Sequence, residues 1–299
     1  MEDFSGKRVL VVGLARSGTA AAEVLARRGA HVVATDAKDE AALQQPVERL
    51  RRLGVELVLG AQPLELAAQT DLVVVSPGVP DGIPLLAEAE RRHVPVVSEV
   101  ELAARLYAGP YLAITGSNGK TTTTTWVGFT LKEAGVPAVV AGNIGVPVSH
   151  TVDNLAPGTW VVTEVSSFQL ARTERFHPHV AAILNLSEDH LDRHGSFAAY
   201  RAAKAKVFAN QEHEDYLVLN ADDEATRSLA SAAGARVLYF SRHQRLPEGA
   251  WVEEEQVVLG WQGREEVICP VEAVSLPGAH NLENALATAL LARCAGAAP

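Results

Sequence analysis

Cysteine is scarce in this chain: Cys269 and Cys294 are the only two among 299 residues. Two such residues make neither a disulfide framework nor a metal-spaced cluster, so a reducing, cytoplasmic setting is expected. An excess of positive charge is also missing. Lys and Arg number 26 against 36 Asp and Glu, a formal net charge of -10, which argues against a chain held on nucleic acid by phosphate contacts. Small anions are not excluded, because helix N-termini and a few cations bind them locally. The start, Met1-Glu2-Asp3-Phe4-Ser5-Gly6-Lys7, lacks the basic residues and apolar run of a signal peptide. Apolar runs such as residues 72–75 are far too short to cross a bilayer, so no membrane partner is expected. What is present is a hydrophobic content of 47% and a length that suits two domains with ordinary cores.

The most informative stretch is Ile114-Thr115-Gly116-Ser117-Asn118-Gly119-Lys120-Thr121-Thr122. It follows a short apolar run and precedes a segment that can be helical. Strand, glycine turn and helix N-terminus in that order cradle nucleotide phosphates. Glycines let backbone N–H groups converge on phosphate oxygens, Lys120 supplies a mobile cation, and the Thr121 hydroxyl suits Mg²⁺. The general phosphate-loop pattern places a further glycine where Ile114 stands, so the turn here is a shorter one.

The first part of the chain alternates strands (residues 9–12, 30–35, 55–59, 72–75 and 94–97) with helices (19–28, 40–53 and 85–92). That order predicts βαβ units around a parallel sheet. The expected domain boundary is 96/97, with a short helical connector over 95–107. The second domain, 97–299, is expected to have a mainly parallel sheet with strands near 138–141, 160–165, 180–184 and 217–219. Antiparallel hairpin material is expected over 251–267, and a last helix from about 280. The fold class is therefore α/β, a Rossmann-like domain followed by a phosphate-loop ATPase-type domain.

Gly13-Leu14-Ala15-Arg16-Ser17-Gly18 follows the first strand, and Asp36 ends the second. Ala15 replaces the glycine that lets backbone touch a pyrophosphate. NAD, another nucleotide and a purely structural turn all remain open from these residues. The Ser76-Pro77-Gly78-Val79-Pro80 loop lies at the strands' carboxyl edge, where ligands of open sheets bind. In the second domain, Glu164 ends a strand and is followed by Val165-Ser166-Ser167-Phe168-Gln169-Leu170. A carboxylate there is placed for a Mg²⁺ ion. Glu188 and Asp189 are explained equally well by helix capping, whereas His190 adds nothing to a cap. Lys204, taken alone, reads as a solvated lysine on a helix. Asn281 and Asn284 share a helix face, as a purine-reading pair or as part of a helix start.

Together, residues 115–122, Gly142-Asn143-Ile144-Gly145, residues 164–170, 188–192, 200–204 and 280–284 resemble the Mur ligase family of ATP-dependent amide-forming enzymes of peptidoglycan assembly. The run Ser166-Ser167-Phe168-Gln169-Leu170 resembles the branch that joins D-glutamate to UDP-N-acetylmuramoyl-L-alanine. The resemblance implies that residues 116–122 hold the ATP phosphates and that Asn281 and Asn284 hold the adenine. It implies two Mg²⁺ ions, with Thr121, Glu164, His190 and a carboxylated Lys204 as ligands. Lys120, Glu164, His190 and Lys204 are the implied catalytic groups. Arg16, Ser17, Asp36, Gly78, Asn143 and Ser166 are the implied contacts of the sugar nucleotide. A cytoplasmic monomer is implied. The family's third, C-terminal domain, which supplies most of the D-glutamate site, is expected to be absent, and with it self-sufficient turnover. A sister ligase, a folylpolyglutamate synthetase type, an NAD-dependent oxidoreductase and a nucleotide-sensing module are the competing readings.

Overall fold

The computed structural model describes residues 1–274 and 276–298. The chain forms two compact units. The first contains a five-stranded sheet in the order β3-β2-β1-β4-β5, with every neighbouring pair parallel. Its strands are β1 (Arg8–Val12), β2 (His31–Asp36), β3 (Glu56–Leu59), β4 (Leu72–Val75) and β5 (Val96–Ser98). The helices α1 (Arg16–Arg27), α2 (Gln44–Arg52), α3 (Pro84–Arg91) and α4 (Glu99–Leu106) alternate with them. After Arg8, β1 is apolar at every position and fully buried, as a central parallel strand covered on both faces requires. Leu10, Val12, Val73, Val75, Leu85 and Leu86 form one core cluster. From β1 the chain goes first to β2 on one side and later to β4 on the other, so strand order reverses at the carboxyl end of β1.

The second unit holds nine strands in the order β14-β13-β12-β11-β10-β9-β6-β8-β7. They are β6 (Tyr111–Thr115), β7 (Ala138–Gly142), β8 (Trp160–Glu164), β9 (Val180–Ile183), β10 (Tyr216–Asn220), β11 (Arg236–Ser241), β12 (Gly249–Glu253), β13 (Gln256–Trp261) and β14 (Arg264–Pro270). Strand β13 pairs antiparallel with β12 and β14, which is the hairpin material expected from sequence. Strand β11 was not anticipated, although Val237-Leu238-Tyr239-Phe240 carries the signal. The helix α5 (Lys120–Glu133) follows β6. Its Val127 and Leu131 share a core with Leu112, Ile114, Leu286 and Leu290. Here too the order reverses, at the carboxyl end of β6, with β8 and β9 on its two sides.

The short helix α6 (Val148–Val152) and residues 172–176 interrupt the second unit in sequence but belong to the first. The chain therefore passes between the units five times, after residues 108, 145, 155, 171 and 176. This corrects the picture of two domains joined by one connector, and α4, expected as that connector, is part of the first unit. Two buried carboxylates of α4 explain the membership. Glu101 accepts from Arg105 Nε at 2.9 Å and from the backbone N–H groups of Glu174, Arg175 and Phe176 at 3.0, 2.9 and 2.9 Å. Glu99 accepts from Ser149 N–H at 2.6 Å. Burial raises the Glu99 pKa, and among the described residues its second oxygen has no hydrogen-bond partner.

Candidate functional site

In the first unit the turn after β1 is fixed by its own chain. Leu14 N–H donates to Asp36 Oδ2 at 2.7 Å, and Ser76 Oγ donates to the Gly13 carbonyl at 2.8 Å. Asp36 also accepts from Lys38 N–H at 2.9 Å. Gly18 admits no side chain, because a Cβ would stand 1.8 Å from the Gly13 carbonyl oxygen. Beside this turn lies a cavity of about 420 Å³ between α1, α2 and the segment carrying Val146, Pro147 and His150. Of the sequence candidates in this unit, Arg16 lines the cavity; Ser17, Asp36 and Gly78 do not.

In the second unit the turn after β6 is held by cations. Lys120 Nζ donates to the carbonyls of Gly116 and Ser117, both at 2.9 Å. Lys204, on the helix α9 (Phe197–Ala205), donates to the same Gly116 carbonyl at 2.8 Å and to Thr115 Oγ1 at 3.2 Å. Lys204 is 2% exposed, so the local reading of a solvated lysine is wrong. Burial, then the neighbouring Lys120 charge, push its pKa down to about 7, against smaller opposing pulls from Asp189 and Glu164. Burial lowers the Lys120 pKa as well, against Glu164 and Asp189. Gly119 begins α5 in the left-handed region, at φ 81°, and a Cβ there would stand 2.3 Å from Asn284 Oδ1.

The turn is also tied to the segment after β9. Asn118 N–H donates to Asn185 Oδ1 at 2.8 Å, and Asn185 Nδ2 returns to the Asn118 carbonyl at 3.2 Å. Ser117 Oγ donates to the Ser187 carbonyl at 3.1 Å and lies 3.0 Å from the Tyr200 hydroxyl. Neither tie was legible in sequence, because both join segments more than sixty residues apart.

Glu164, buried at the end of β8, collects two more of the expected residues. Thr121 Oγ1 donates to its Oε2 at 2.8 Å and Asn143 Nδ2 to its Oε1 at 3.0 Å. A hydroxyl and a carboxylate in contact beside a phosphate loop fit Mg²⁺, which takes few protein oxygens and keeps water and phosphate oxygens for the rest. Lys204 as an ammonium donates and ligates nothing, so it fits a metal only as a carbamate. His190 is the half-exposed N-cap of α8 (Leu191–His194), with Nε2 3.5 Å from Asp189 Oδ2. Among the described residues no three His, Cys, Asp or Glu side chains form a metal-holding group. Ser166 is engaged locally, its Oγ donating to Gln169 Oε1 at 2.9 Å on the short helix α7 (Ser167–Ala171). Thr122 lies half-buried in the first turn of α5.

Asn281 and Asn284 open the helix α11 (Ala279–Cys294), which follows the short α10 (Glu224–Arg227) in chain order. Both are buried. Asn284 Nδ2 donates to Asn281 Oδ1 at 3.2 Å, and Asn284 Oδ1 accepts from Thr123 Oγ1 at 3.3 Å. The pair thus sits against the phosphate-loop helix.

A glycine turn with Lys-Thr at the reversal point of a parallel sheet places the second unit in the phosphate-loop class of α/β proteins. Residues 114–292 match the family model of the Mur ligase middle domain, and residues 7–98 match that of the Mur ligase MurD-like N-terminal domain. The chain belongs to the Mur ligase family. It is 47% identical to the UDP-N-acetylmuramoylalanine--D-glutamate ligase of Acidobacterium capsulatum over 98% of this chain and 64% of that protein. The ligase of the same name from Pelotomaculum thermopropionicum is 45% identical over 99% of this chain and 65% of its own length. The chain thus spans just under two thirds of the relatives it matches. Its fold is like that of the UDP-N-acetylmuramate:L-alanyl-gamma-D-glutamyl-meso-diaminopimelate ligase from Neisseria meningitides. That likeness has a TM-score of 0.65 at 20% identity, over 98% of this chain and 94% of that one. The MurF ligase from Thermotoga maritima aligns with a TM-score of 0.53 at 15% identity, over 100% of this chain and 65% of that one. Among the described residues no helix is long and apolar enough to cross a membrane.

Proposed function

We propose that this chain carries the nucleotide- and sugar-nucleotide-binding part of a cytoplasmic, monomeric ligase that joins D-glutamate to UDP-N-acetylmuramoyl-L-alanine at the expense of ATP. The observation that carries the reading is the convergence of Lys120 and Lys204 on the Gly116 carbonyl, beside the Thr121–Glu164 pair. High identity to relatives bearing that ligase name supports the choice of substrates.

A carboxylate resists attack by an amine, so amide formation needs an activated acyl group. In this reading an oxygen of the L-alanyl carboxylate attacks the γ-phosphorus of ATP, the bond to the β,γ-bridging oxygen breaks, and ADP leaves. The D-glutamate amine then attacks the acyl carbon, phosphate leaves with the carbon–oxygen electron pair, and the amine gives up a proton. Two anions meet in the first step. Lys120, beside the phosphate-loop carbonyls, offsets their repulsion and follows the charge as it develops on the equatorial oxygens. Gly116 and Gly119 let the backbone approach the phosphates. Asn281 and Asn284 hold the adenine, Arg16, Ser17 and Asp36 the uridine diphosphate, and Asn143 and Ser166 the rest of the sugar nucleotide, with Gly78 as a further substrate contact.

Thr121 and Glu164 would hold one Mg²⁺, and His190 with a carboxylated Lys204 a second. Such ions, when bound, supply positive charge against the triphosphate oxygens. Lys204 suits the modification because a buried amine crowded by Lys120 is readily neutral. Its nitrogen then adds to the carbon of CO₂, and the proton released leaves an anionic carbamate.

Calorimetric titration of UDP-N-acetylmuramoyl-L-alanine, with NAD as a parallel ligand, tests the substrate assignment. Saturable binding of the sugar nucleotide without NAD binding is expected. NAD binding with no response to the sugar nucleotide would overturn the ligase reading in favour of an oxidoreductase.

A further inference from the structure

From Ser187 to Ala199 no side chain is buried, although this stretch carries Glu188, Asp189 and His190. The helix within it, α8, contributes nothing to a core. His190 itself adopts φ 52° and ψ 33°, left-handed backbone that is uncommon for a residue with a side chain. One ring collects this segment. The Arg193 guanidinium lies 3.8 Å from the centroid of Phe168. The His194 ring stacks parallel to Phe168 at 4.9 Å and 3°, and the His190 ring packs against it at 5.2 Å and 56°. Next to Phe168, Ser167 Oγ lies 2.9 Å from His194 Nε2. His194 in turn meets Tyr200 edge-on at 5.3 Å, and the Tyr200 hydroxyl reaches Ser117 of the phosphate loop at 3.0 Å.

We propose that Phe168 is a positioning residue, the platform on which residues 190–194 assemble and by which His190 is presented. Its catalytic consequence rests on the reading of His190 as a ligand on the ATP side. A flat π-face attracts a guanidinium and stacks an imidazole, which an aliphatic side chain of similar volume does not do. A segment without buried side chains has little local stability of its own, so loss of the ring opens it without unfolding the core.

Amide hydrogen exchange of the whole chain reads this directly. Phe168→Leu is expected to speed exchange of the Arg193, His194 and Gly195 amides, which donate to the carbonyls of His190 and Leu191, by about tenfold or more, with the amides of residues 286–291 in α11 unchanged. Phe168→Tyr, which keeps the face, is expected to restore the slow rate. Unchanged exchange in Phe168→Leu, uniform acceleration along the chain, or failure of the Tyr variant to rescue would each overturn the proposal. If Phe168→Leu does not fold, His194→Ala removes one layer of the stack from the outside, and the same local acceleration is required of it. Mg²⁺-dependent ATP affinity, measured in the same variants, addresses the other reading. An opened segment with unaltered affinity would leave the platform standing and remove His190 from the metal site.

Discussion

The two units each open on a glycine turn at the reversal point of a parallel sheet, and the two turns are stabilised by opposite means. The turn after β1 is closed by close backbone packing, with Gly18 against the Gly13 carbonyl, and by hydrogen bonds to the Asp36 carboxylate and from Ser76. The turn after β6 is closed by two lysines on one carbonyl, one of them almost wholly buried. The first arrangement gives shape and leaves recognition to whatever lies alongside. The second gathers like charge in a dry place, which disfavours the folded chain by itself and favours an anion that arrives. Similar topology therefore yields a rigid shelf in one unit and an electrostatically loaded site in the other.

The sharpest break of the first turn is Gly18→Ala. The obstructing atom is backbone and cannot swing aside, so a loss of about 3 kcal/mol in unfolding free energy is expected in denaturant melts. Stability above the value for the natural chain would show that the turn is looser than its geometry. The second turn is probed by pH. Folded Lys204 releases its proton near pH 7, whereas the unfolded chain keeps it to about 10.5. The unfolded state thus binds more protons across that window, and stability must rise with pH there, with the full penalty present below about 7. In CO₂-free buffer the natural chain should gain about 2–3 kcal/mol between pH 7 and 9 relative to Lys204→Met. Parallel curves for the two proteins would mean that Lys204 stays charged. The smallest effect is expected for Asp36→Asn, which weakens one acceptor of the first turn. A cost of about 1 kcal/mol by thermal melts is anticipated, and a much larger one would show that charge matters in this turn too.

Much of this was legible in the sequence for local reasons. Apolar runs mark β1, β4, β6 and β8, and Gly-Lys-Thr after β6 marks the phosphate loop, because each is a pattern within a few neighbours. What was not legible depends on distant partners. Lys204 sits in an Ala-rich helical stretch that looks solvated, yet it is buried and donates to Thr115 and Gly116, nearly ninety residues earlier. Strand β11, by contrast, carries a local signal in Val237-Leu238-Tyr239-Phe240. The role of α4 is invisible locally, since the groups that Glu99 and Glu101 bind lie about fifty and seventy residues on. Phe168 was legible as part of a family motif, but its stack of Arg193 and His194 was not.

The five passages of the chain between the units have a consequence for inheritance. A recombination that exchanged residues 1–108 for a foreign equivalent would separate Glu101 from the amides of residues 174–176 and Glu99 from Ser149. Each carboxylate would then face a stranger's backbone from inside a core, where an unmatched charge is costly. Reshuffling at that junction succeeds only if two short inserts elsewhere in the gene travel with it. The two units, though separately compact, are expected to have descended as one.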